Sequence, residues 1–181
     1  SYKQLVERFH NYFGVDFYPY KRVSVVCDFT KSLPVKDSSL NIVILSNVLE
    51  HVPTPELLIR ECFRILKPGG AIIGAVPFII KIHQEPYDFL RYTNFMLQKL
   101  FVDAGFKKYE IEPLGSTANL YRFSEKFFFG QLLSETKSFR KIIAHLARIL
   151  SRSLTIVFWP LYKKVGVSKN YPEGYGFITY K

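Results

Sequence analysis

The sequence predicts a single α/β domain built on an open, mostly parallel β-sheet. Two observations carry this prediction: short apolar runs alternate with amphipathic helical stretches from about Tyr12 to Tyr109, and the run at 42–45 is continuously apolar. A parallel strand that is covered on both faces has this continuous apolar character. At 181 residues, with 48% apolar and 22% charged residues, the chain is long and apolar enough to bury one core. We therefore expect one domain over residues 1–181.

Each element is placed by its apolar pattern and by the residues at its ends. Thr54 and Pro55 fit the start of a helix that ends at a Lys-Pro-Gly-Gly turn over 67–70. A second helix begins after Thr93 and stops at Gly105. The predicted strands are 12–15, 23–27, 42–45, 71–76, 106–111 and 175–180.

Polar residues stand where three successive predicted strands end. Asp16 follows the first strand, Asp28 follows the second, and Ser46 and Asn47 follow the third. In an open α/β sheet, ligands bind outside the carboxyl ends of the strands. An acid at one strand end can accept both hydroxyls of a ribose, and an acid at the next can accept from an exocyclic amine. Either aspartate alone is more often a turn cap, but the pair favours a nucleoside-like ligand.

Five motifs, in this order and at this spacing, resemble the class I, Rossmann-like S-adenosylmethionine-dependent methyltransferases, and among them the methyltransferase type 11 group. The motifs are Asp16, Val-Cys-Asp-Phe at 26–29, Ser-Leu-Pro-Val and Asp-Ser-Ser-Leu within 32–40, Val-Leu-Glu-His-Val-Pro at 48–53 and Arg-Ile-Leu-Lys-Pro-Gly-Gly at 64–70. The resemblance covers about residues 12–113 and the last strand. It implies a Rossmann-like methyltransferase fold, with a mostly parallel sheet and an antiparallel last strand, and S-adenosylmethionine as the cofactor.

The resemblance also implies which residues meet the cofactor. Asp16 would bind the ribose hydroxyls, and Asp28 would hold the adenine amine with Phe29 beside the purine. The other residues expected at the cofactor are Phe17, Ser46, Asn47 and Leu49. Some relatives carry acids at the positions of Asn47 and Glu50 and bind a divalent metal with the histidine that follows. Because Asn47 is not a carboxylate, no metal is predicted.

The resemblance is incomplete at the amino end of the sequence. The first strand of the family ends in a glycine-rich loop that approaches the methionine part of the cofactor, and no such loop occurs here. Residues 1–3 match the helix that follows that loop. We therefore expect an N-terminally incomplete methyltransferase domain, which binds the cofactor weakly or not at all if the natural protein includes the loop.

The segment after the fourth predicted strand is rich in side chains that transfer protons or bind anions. His83 is the first candidate for the base that accepts a proton from the methyl acceptor, and Asp88 either orients it or acts as an alternative base. His51, after the third strand, either reaches the acceptor or caps a turn. Tyr87 and Arg91 are expected to bind the substrate, and an Asp88–Arg91 ion pair that fixes the loop is the alternative.

Residues 121–165 break the alternation with a long helical insertion before the last strand. The net charge is +10, and residues 121–170 hold ten basic side chains against two acidic ones. Two apolar clusters lie in the insertion, at 127–129 and 154–159, and the second is too short to span a bilayer. A lid over the acceptor pocket is the expected role, with a dimer contact and binding to an anionic membrane surface as alternatives. Nucleic acid is not expected as a partner, because the basic residues are dispersed among apolar ones.

The two cysteines, Cys27 and Cys62, lie in predicted strand and helix patterns. This favours buried thiols in a reducing compartment over a disulfide. Residues 1–10 mix charged and apolar positions and do not resemble a secretion signal. We therefore expect a cytoplasmic protein, with peripheral attachment to a membrane as the alternative.

The function expected from these features is S-adenosylmethionine-dependent methyl transfer to a small-molecule or lipid-linked acceptor. The alternative is a non-catalytic methyltransferase-like module that binds a partner or docks on a membrane, which the missing glycine loop favours. A nicotinamide-dependent oxidoreductase is not expected, because the sequence has neither the glycine fingerprint nor a Tyr–Lys pair at catalytic spacing.

Overall fold

The computed structural model describes residues 12–21, 23–137, 139–162, 164, 166 and 169–181. Its strands are β1 (Val15–Asp16), β2 (Val25–Val26), β3 (Leu40–Ser46), β4 (Leu66–Pro77), β5 (Lys108–Leu114) and β6 (Gly174–Tyr180). Its helices are a short 3₁₀ helix (Leu49–His51), α1 (Pro55–Ile65), α2 (Asn94–Ala104), α3 (Thr117–Glu135) and α4 (Phe139–Tyr162). The helix expected at residues 1–3 lies outside the described residues.

The strands form two hydrogen-bonded sheets. β1 and β2 pair in parallel, and the second sheet has the order β3-β4-β6-β5. β3 runs parallel to β4, whereas β6 runs antiparallel to both of its neighbours, so that β3, β4 and β5 point one way and β6 the other. β1 and β2 are each two residues long, shorter than the apolar runs predicted at 12–15 and 23–27. The arrangement confirms the predicted α/β fold with an antiparallel last strand.

The core lies where α1 and α2 pack on the four-stranded sheet. The two helices bury the side chains of Leu58, Ile59, Cys62, Ile65, Leu97, Leu100 and Phe101. The Phe101 ring contacts the ring of Phe177 on β6, with 5.2 Å between the ring centroids. Burial of each large apolar side chain stabilises the fold by roughly 1.5–3 kcal/mol, and this fixes both helices on the sheet.

The boundaries of α2 agree with the end signals in the sequence. The Thr93 hydroxyl accepts a hydrogen bond from the Met96 N–H at 3.2 Å, and Gly105 takes a left-handed φ of 104°. The start of α2 is therefore fixed, and with it the end of the loop that carries His83 and Asp88.

β4 is longer than the sequence predicts. The segment 67–70, predicted as a turn, belongs to a bulged strand in which Leu66 already pairs with Leu40 on β3. Gly69 has a left-handed φ of 80°, and its N–H donates to the Lys181 carbonyl at 3.0 Å. The Pro-Gly-Gly signal thus marks a bulge, because the end of the chain lies beside it and bonds to its backbone.

α3 and α4 form a helical hairpin between β5 and β6, in the region predicted as an insertion. Ser116 caps α3 by accepting a hydrogen bond from the Asn119 N–H at 3.1 Å. The carboxylate of Glu125 on α3 accepts hydrogen bonds from the hydroxyls of Ser151 and Thr155 on α4. These polar contacts fix which face of α4 meets α3.

α4 is longer and more apolar than the sequence predicts. It contains 24 residues and continues through Pro160. Its stretch Phe139–Leu161 has a mean hydropathy of 1.4 over its most apolar 18 residues, and 11% of those residues are buried. By length and composition alone, this stretch could cross a membrane. The sequence analysis expects the apolar cluster at 154–159 to be too short to span a bilayer, because Arg152 and Pro160 interrupt it. In the structure one helix runs through both residues.

Candidate functional site

β3 ends in a turn that brings polar side chains to the edge of the sheet. Asn47 takes a left-handed φ of 52°, and its N–H donates to the Ala75 carbonyl on β4 at 2.9 Å. Residues other than glycine rarely adopt this conformation, so it marks a constrained point of the chain. The 3₁₀ helix follows at once and carries Glu50 and His51.

The loop between β4 and α2 is tied to this 3₁₀ helix. The N–H groups of Phe89 and Leu90 donate to the Glu50 carbonyl at 2.9 and 3.2 Å. The hydroxyl of Tyr92, a buried residue, donates to the Leu49 carbonyl at 2.8 Å. These bonds hold the loop against the carboxyl end of β3, where ligands of open α/β sheets bind.

Asp88 is the centre of a charged network within the loop. Its two oxygens accept hydrogen bonds from the Arg91 guanidinium at 2.6 and 2.8 Å. One oxygen also accepts from the His83 backbone N–H at 2.8 Å and lies 3.2 Å from His83 Nδ1. The Arg91 guanidinium holds the pKa of Asp88 far below its ordinary value, so this buried carboxylate stays ionised. Asp88 therefore fits the role of orienting His83 better than that of an alternative base.

Two imidazoles face each other at this edge of the sheet. The rings of His51 and His83 lie nearly perpendicular, with 5.0 Å between their centroids. Nδ1 of His51 is 2.5 Å from the Tyr87 carbonyl, and Nδ1 of His83 lies beside Asp88 and 3.3 Å from the Lys81 carbonyl. Since these neighbours are all acceptors, each Nδ1 carries a proton, and in the neutral ring the lone pair is on Nε2.

Glu50 completes this group of side chains, termed here the Glu-His-His cluster (Glu50, His51 and His83). The carboxylate of Glu50 is fully buried, and its Oε1 lies 3.7 Å from His51 Nε2. One ligand atom from each of the three residues lies within 4.8 Å of the others. Among the described residues, neither Glu50 oxygen nor His51 Nε2 has a hydrogen-bond partner. Burial raises the pKa of Glu50, although the two histidines and Arg91 oppose that rise.

The sequence analysis gives Glu50 no role in the site of this chain, although Glu50 follows the third predicted strand. The Glu-His pair within the motif at 48–53 is the available signal, but Asn47 is not a carboxylate and so no metal is predicted there. The third member, His83, comes from a distant part of the chain, and only the docking of the loop brings it to Glu50.

The two acids expected at the cofactor lie beside the two-stranded sheet. Asp16, at the end of β1, accepts a hydrogen bond from the Tyr18 N–H at 3.0 Å. Asp28, just beyond β2, accepts from the Thr30 N–H at 2.9 Å and from its hydroxyl at 2.6 Å. The bond from the Thr30 hydroxyl is the main cause that lowers the pKa of Asp28. Both carboxylates therefore cap turns, as the alternative interpretation expected.

Comparisons with known proteins bear on this arrangement. Residues 1–74 match the sequence model of the family Methyltransf_11, described as "Methyltransferase domain". A probable S-adenosylmethionine-dependent methyltransferase of Mycolicibacterium smegmatis is 34% identical over 58 residues, which are 32% of this chain and 23% of that protein. A ubiquinone biosynthesis O-methyltransferase of Psychrobacter arcticus is 30% identical over 88 residues, covering 39% of this chain and 34% of that protein.

A solved structure agrees with these matches at the level of the fold. The crystal structure of a SAM-dependent methyltransferase from Archaeoglobus fulgidus has a TM-score of 0.51 and 17% identity, and the match covers 88% of this chain and 68% of that one. The chain therefore has the fold of a SAM-dependent methyltransferase, and its residues 1–74 resemble the sequence model of a methyltransferase family. It spans about a quarter to a third of the length of the two curated relatives.

S-adenosylmethionine, the cofactor that the sequence predicts, is also named for relatives that this chain resembles. The two acidic residues expected at its nucleoside part lie close together along the first sheet. Asp16 and Asp28 follow two paired parallel strands, and the register sets Asp16 opposite Val26. Two half-buried carboxylates at neighbouring strand ends are the kind of acceptor that the hydroxyls of a ribose and the amine of an adenine require.

The other residues predicted at the cofactor are spread over both sheets. Phe17 is half exposed beside the first sheet, and Phe29 packs against the hydrophobic core. Ser46 and Asn47 lie at the end of β3, and Leu49 is fully buried in the core. No ladder joins the two sheets within the described part of the chain, so these cofactor contacts stay predictions.

An apolar groove lies between the start of the loop after β4 and helix α3. Its volume is about 450 Å³. The lining residues are Phe78, Ile79, Ile80, Lys81, Phe123, Ser124 and Phe127. Lys81 is the charged member, and its Nζ lies 5.8 Å from the centre of the Phe127 ring. Because the carbonyl of Lys81 also approaches His83 Nδ1, the groove adjoins the segment that carries His83.

Proposed function

We propose that this protein is an enzyme that transfers a methyl group from S-adenosylmethionine to a small-molecule or lipid-linked acceptor, and that the acceptor has an apolar portion. The observation that carries the proposal is the orientation of His83 by a buried, ionised Asp88, whose Oδ2 lies 3.2 Å from His83 Nδ1. The two side chains stand at the edge of the sheet where such folds bind ligands. The cofactor supplies a methyl group on a positively charged sulfur.

The residues of the chain then bind, align and deprotonate the acceptor. Methyl transfer is an in-line displacement, so alignment accounts for a large part of the rate. The Nε2 lone pair of His83 accepts the proton of an acceptor hydroxyl, and Asp88 stabilises the imidazolium that forms. The ring of His51 packs beside that of His83, and its own Nε2 is buried next to Glu50, so His51 supports the base instead of contacting the acceptor.

Arg91 acts on the loop rather than on the acceptor. Both of its terminal nitrogens bond to Asp88, so the ion-pair alternative of the sequence analysis accounts for its position. Tyr87 remains a candidate for contact with the acceptor, because its ring is 48% exposed next to the cluster that its carbonyl supports.

The apolar groove is the reason to favour an acceptor with a lipid-like portion. Five of its seven lining residues have large apolar side chains. A groove of about 450 Å³ accommodates a small ring or a stretch of hydrocarbon chain. Since the groove adjoins the loop of His83, an apolar tail in the groove would keep a polar head near the imidazole.

A methylation assay tests this function. The chain is incubated with S-adenosylmethionine labelled in the methyl group and with hydroxylated acceptors, each offered with and without an alkyl or isoprenoid chain. His83→Ala should lower turnover by roughly 100- to 10,000-fold, whereas Lys99→Ala on the exposed side of α2 should leave it unchanged. Equal turnover by wild type and His83→Ala would remove His83 as the base. Absence of methylation with every acceptor, at S-adenosylmethionine concentrations at which the chain binds the cofactor, would favour the non-catalytic module.

As a second function, the proposal includes docking of the helical hairpin on an anionic membrane surface. Leu146, Leu150 and Val157 lie on one stripe of α4 and are 60%, 62% and 69% exposed. The opposite face of α4 holds Thr155, which is buried against α3. The hairpin carries seven basic and two acidic residues over 117–162. An exposed apolar stripe with basic flanks is typical of a helix that lies in the interface of a membrane.

A further inference from the structure

The Glu-His-His cluster contains acceptor atoms that face each other without a donor. Oε1 of Glu50 and Nε2 of His51 are 3.7 Å apart, and neither has a hydrogen-bond partner among the described residues. The Nδ1 atoms of both histidines are already engaged, so each neutral ring presents a lone pair on Nε2. A buried carboxylate that faces lone pairs loses its hydration without replacement. A cation among these atoms would remove that cost.

We infer that Glu50, His51 and His83 form a binding site for a divalent first-row transition-metal ion. Two imidazole nitrogens and one carboxylate are a donor set that such ions prefer, and three protein ligands leave further coordination positions open. Bonds of about 2.0–2.2 Å set two ligand atoms of a tetrahedral ion about 3.4 Å apart. The Glu50–His51 separation of 3.7 Å is close to that distance, and the widest separation of 4.8 Å can close by side-chain rotation.

The groups behind the three ligands support this site independently. Nδ1 of His51 donates to the Tyr87 carbonyl, and Nδ1 of His83 lies beside the carboxylate of Asp88, which Arg91 fixes. Histidines that bind a metal usually donate their other ring N–H to a carbonyl or a carboxylate in this way. Such partners fix the tautomer and the ring orientation before the ion arrives.

The site differs from the one that the family pattern provides in some relatives. That pattern requires an acid at the position of Asn47, and in this chain Asn47 is an exposed amide at the end of β3. The third ligand comes instead from His83, in the loop after β4. The metal site is therefore a property of this loop and of its docking on the 3₁₀ helix.

The burial of the three ligands shows where the open positions lie. The side chain of Glu50 is fully buried, whereas those of His51 and His83 are 17% and 24% exposed. Since Nε2 of His51 is itself buried, the cluster opens on the side of His83. A hydroxyl, or two neighbouring hydroxyls, of the acceptor would bind there and lose a proton more readily. This role of the metal in catalysis rests on the proposed methyl transfer. When the metal is bound, His83 is one of its ligands and does not act as the base.

Metal titration tests the site without cofactor or acceptor. Chelator-treated, dialysed protein is titrated with Zn²⁺ by calorimetry and with Co²⁺ by visible absorption. We expect one equivalent to bind, with Glu50→Gln and His83→Ala each weakening binding by at least roughly 100-fold and Asp88→Asn by roughly 10- to 100-fold. His145→Ala, which removes an exposed histidine on α4, should keep the wild-type affinity. Glu50→Gln removes an unpaired buried charge, so it should remain folded, which circular dichroism checks.

Two results would overturn the inference. One is the lack of stoichiometric binding of both ions by the wild-type chain. The other is binding that survives in Glu50→Gln and in His83→Ala, since it would then arise elsewhere on the surface. Because neither S-adenosylmethionine nor acceptor is present, a failure of methyl transfer would leave the metal result intact. If the metal binds, loss of methyl transfer on chelation identifies a catalytic ion, and unchanged transfer leaves His83 as the base.

Discussion

The guanidinium of Arg91 meets the carboxylate of Asp88 through two hydrogen bonds, of 2.6 and 2.8 Å, and the side chain of Asp88 is 1% exposed. A carboxylate at this depth stays ionised because the cation is beside it. Since Asp88 also contacts His83, the ion pair connects the stability of the loop with the orientation of the imidazole.

Removal of the cation should destabilise the protein. Arg91→Ala leaves Asp88 charged and buried, and should lower the free energy of unfolding by about 3 kcal/mol. Arg91→Lys keeps the charge but loses the two-point contact, so an intermediate loss is expected. Urea unfolding measures both, and the double variant Arg91→Ala with Asp88→Asn should recover part of the loss. A loss below about 1 kcal/mol for Arg91→Ala would mean that Asp88 finds another partner or takes up a proton.

A second ion pair ties α1 to the segment before β3. The carboxylate of Glu61 accepts hydrogen bonds from Arg64 at 2.7 and 2.9 Å and from the Leu33 N–H at 2.7 Å. The bonds from Arg64 are the largest cause that lowers the pKa of Glu61, from its ordinary 4.5 to about 2. Glu61 therefore stabilises the folded state in its ionised form.

This pKa predicts how stability depends on pH. The contribution of Glu61 should be complete above pH 4.5 and be lost as the pH falls towards 2, because the unfolded chain takes up the proton first. Glu61→Gln should be less stable than wild type at pH 7 and should lose less stability on acidification. Urea unfolding over a pH series measures this, with the exposed Glu56→Gln as the matched control. Parallel pH profiles for wild type and Glu61→Gln would contradict the prediction.

The sequence contains most of the information for the fold because the signals are local. Thr93 and Gly105 bound α2 as predicted, and the apolar run at 42–45 lies within β3. The bulge at 67–70 could not be predicted, since its backbone bonds to the Lys181 carbonyl at the other end of the chain. The sequence analysis also treated Pro160 as an interruption of the apolar cluster, whereas α4 continues through Pro160 to Tyr162.

The candidate site was predictable in its parts and not in its assembly. His51, His83, Asp88 and Arg91 were recognised by residue type, and the structure brings them to one edge of the sheet. Glu50 was missed because its significance lies in burial without a partner, which depends on the docking of the whole loop. Sequence spacing does not report burial or the direction of a lone pair.

The assignment of the cofactor's ribose to Asp16 predicts a specific loss of affinity. Hydrogen bonds to a charged group contribute roughly 1.5–3 kcal/mol each, so Asp16→Ala should weaken binding of S-adenosylhomocysteine by at least roughly 10-fold. Calorimetric titration measures the affinity, and Asp103→Asn, an exposed carboxylate on α2, is the control. Unchanged affinity in Asp16→Ala would leave Asp16 with its turn-capping role.

The exposed stripe of α4 predicts binding to anionic vesicles. Leu150→Glu and Val157→Glu place a charge where the helix would enter the lipid, and each should lower the fraction of protein that sediments with phosphatidylserine-containing vesicles by roughly 10-fold or more. Phe95→Glu is the matched control, since Phe95 on α2 is 74% exposed but lies outside the hairpin. Vesicles of phosphatidylcholine alone should bind less of the wild-type chain, and added salt should weaken binding, because the basic residues contribute through their charge.

An equal loss for Phe95→Glu, or no sedimentation of the wild type, would contradict docking through α4. Wild-type chain that resists both salt and alkaline extraction would instead identify α4 as a helix that crosses the bilayer.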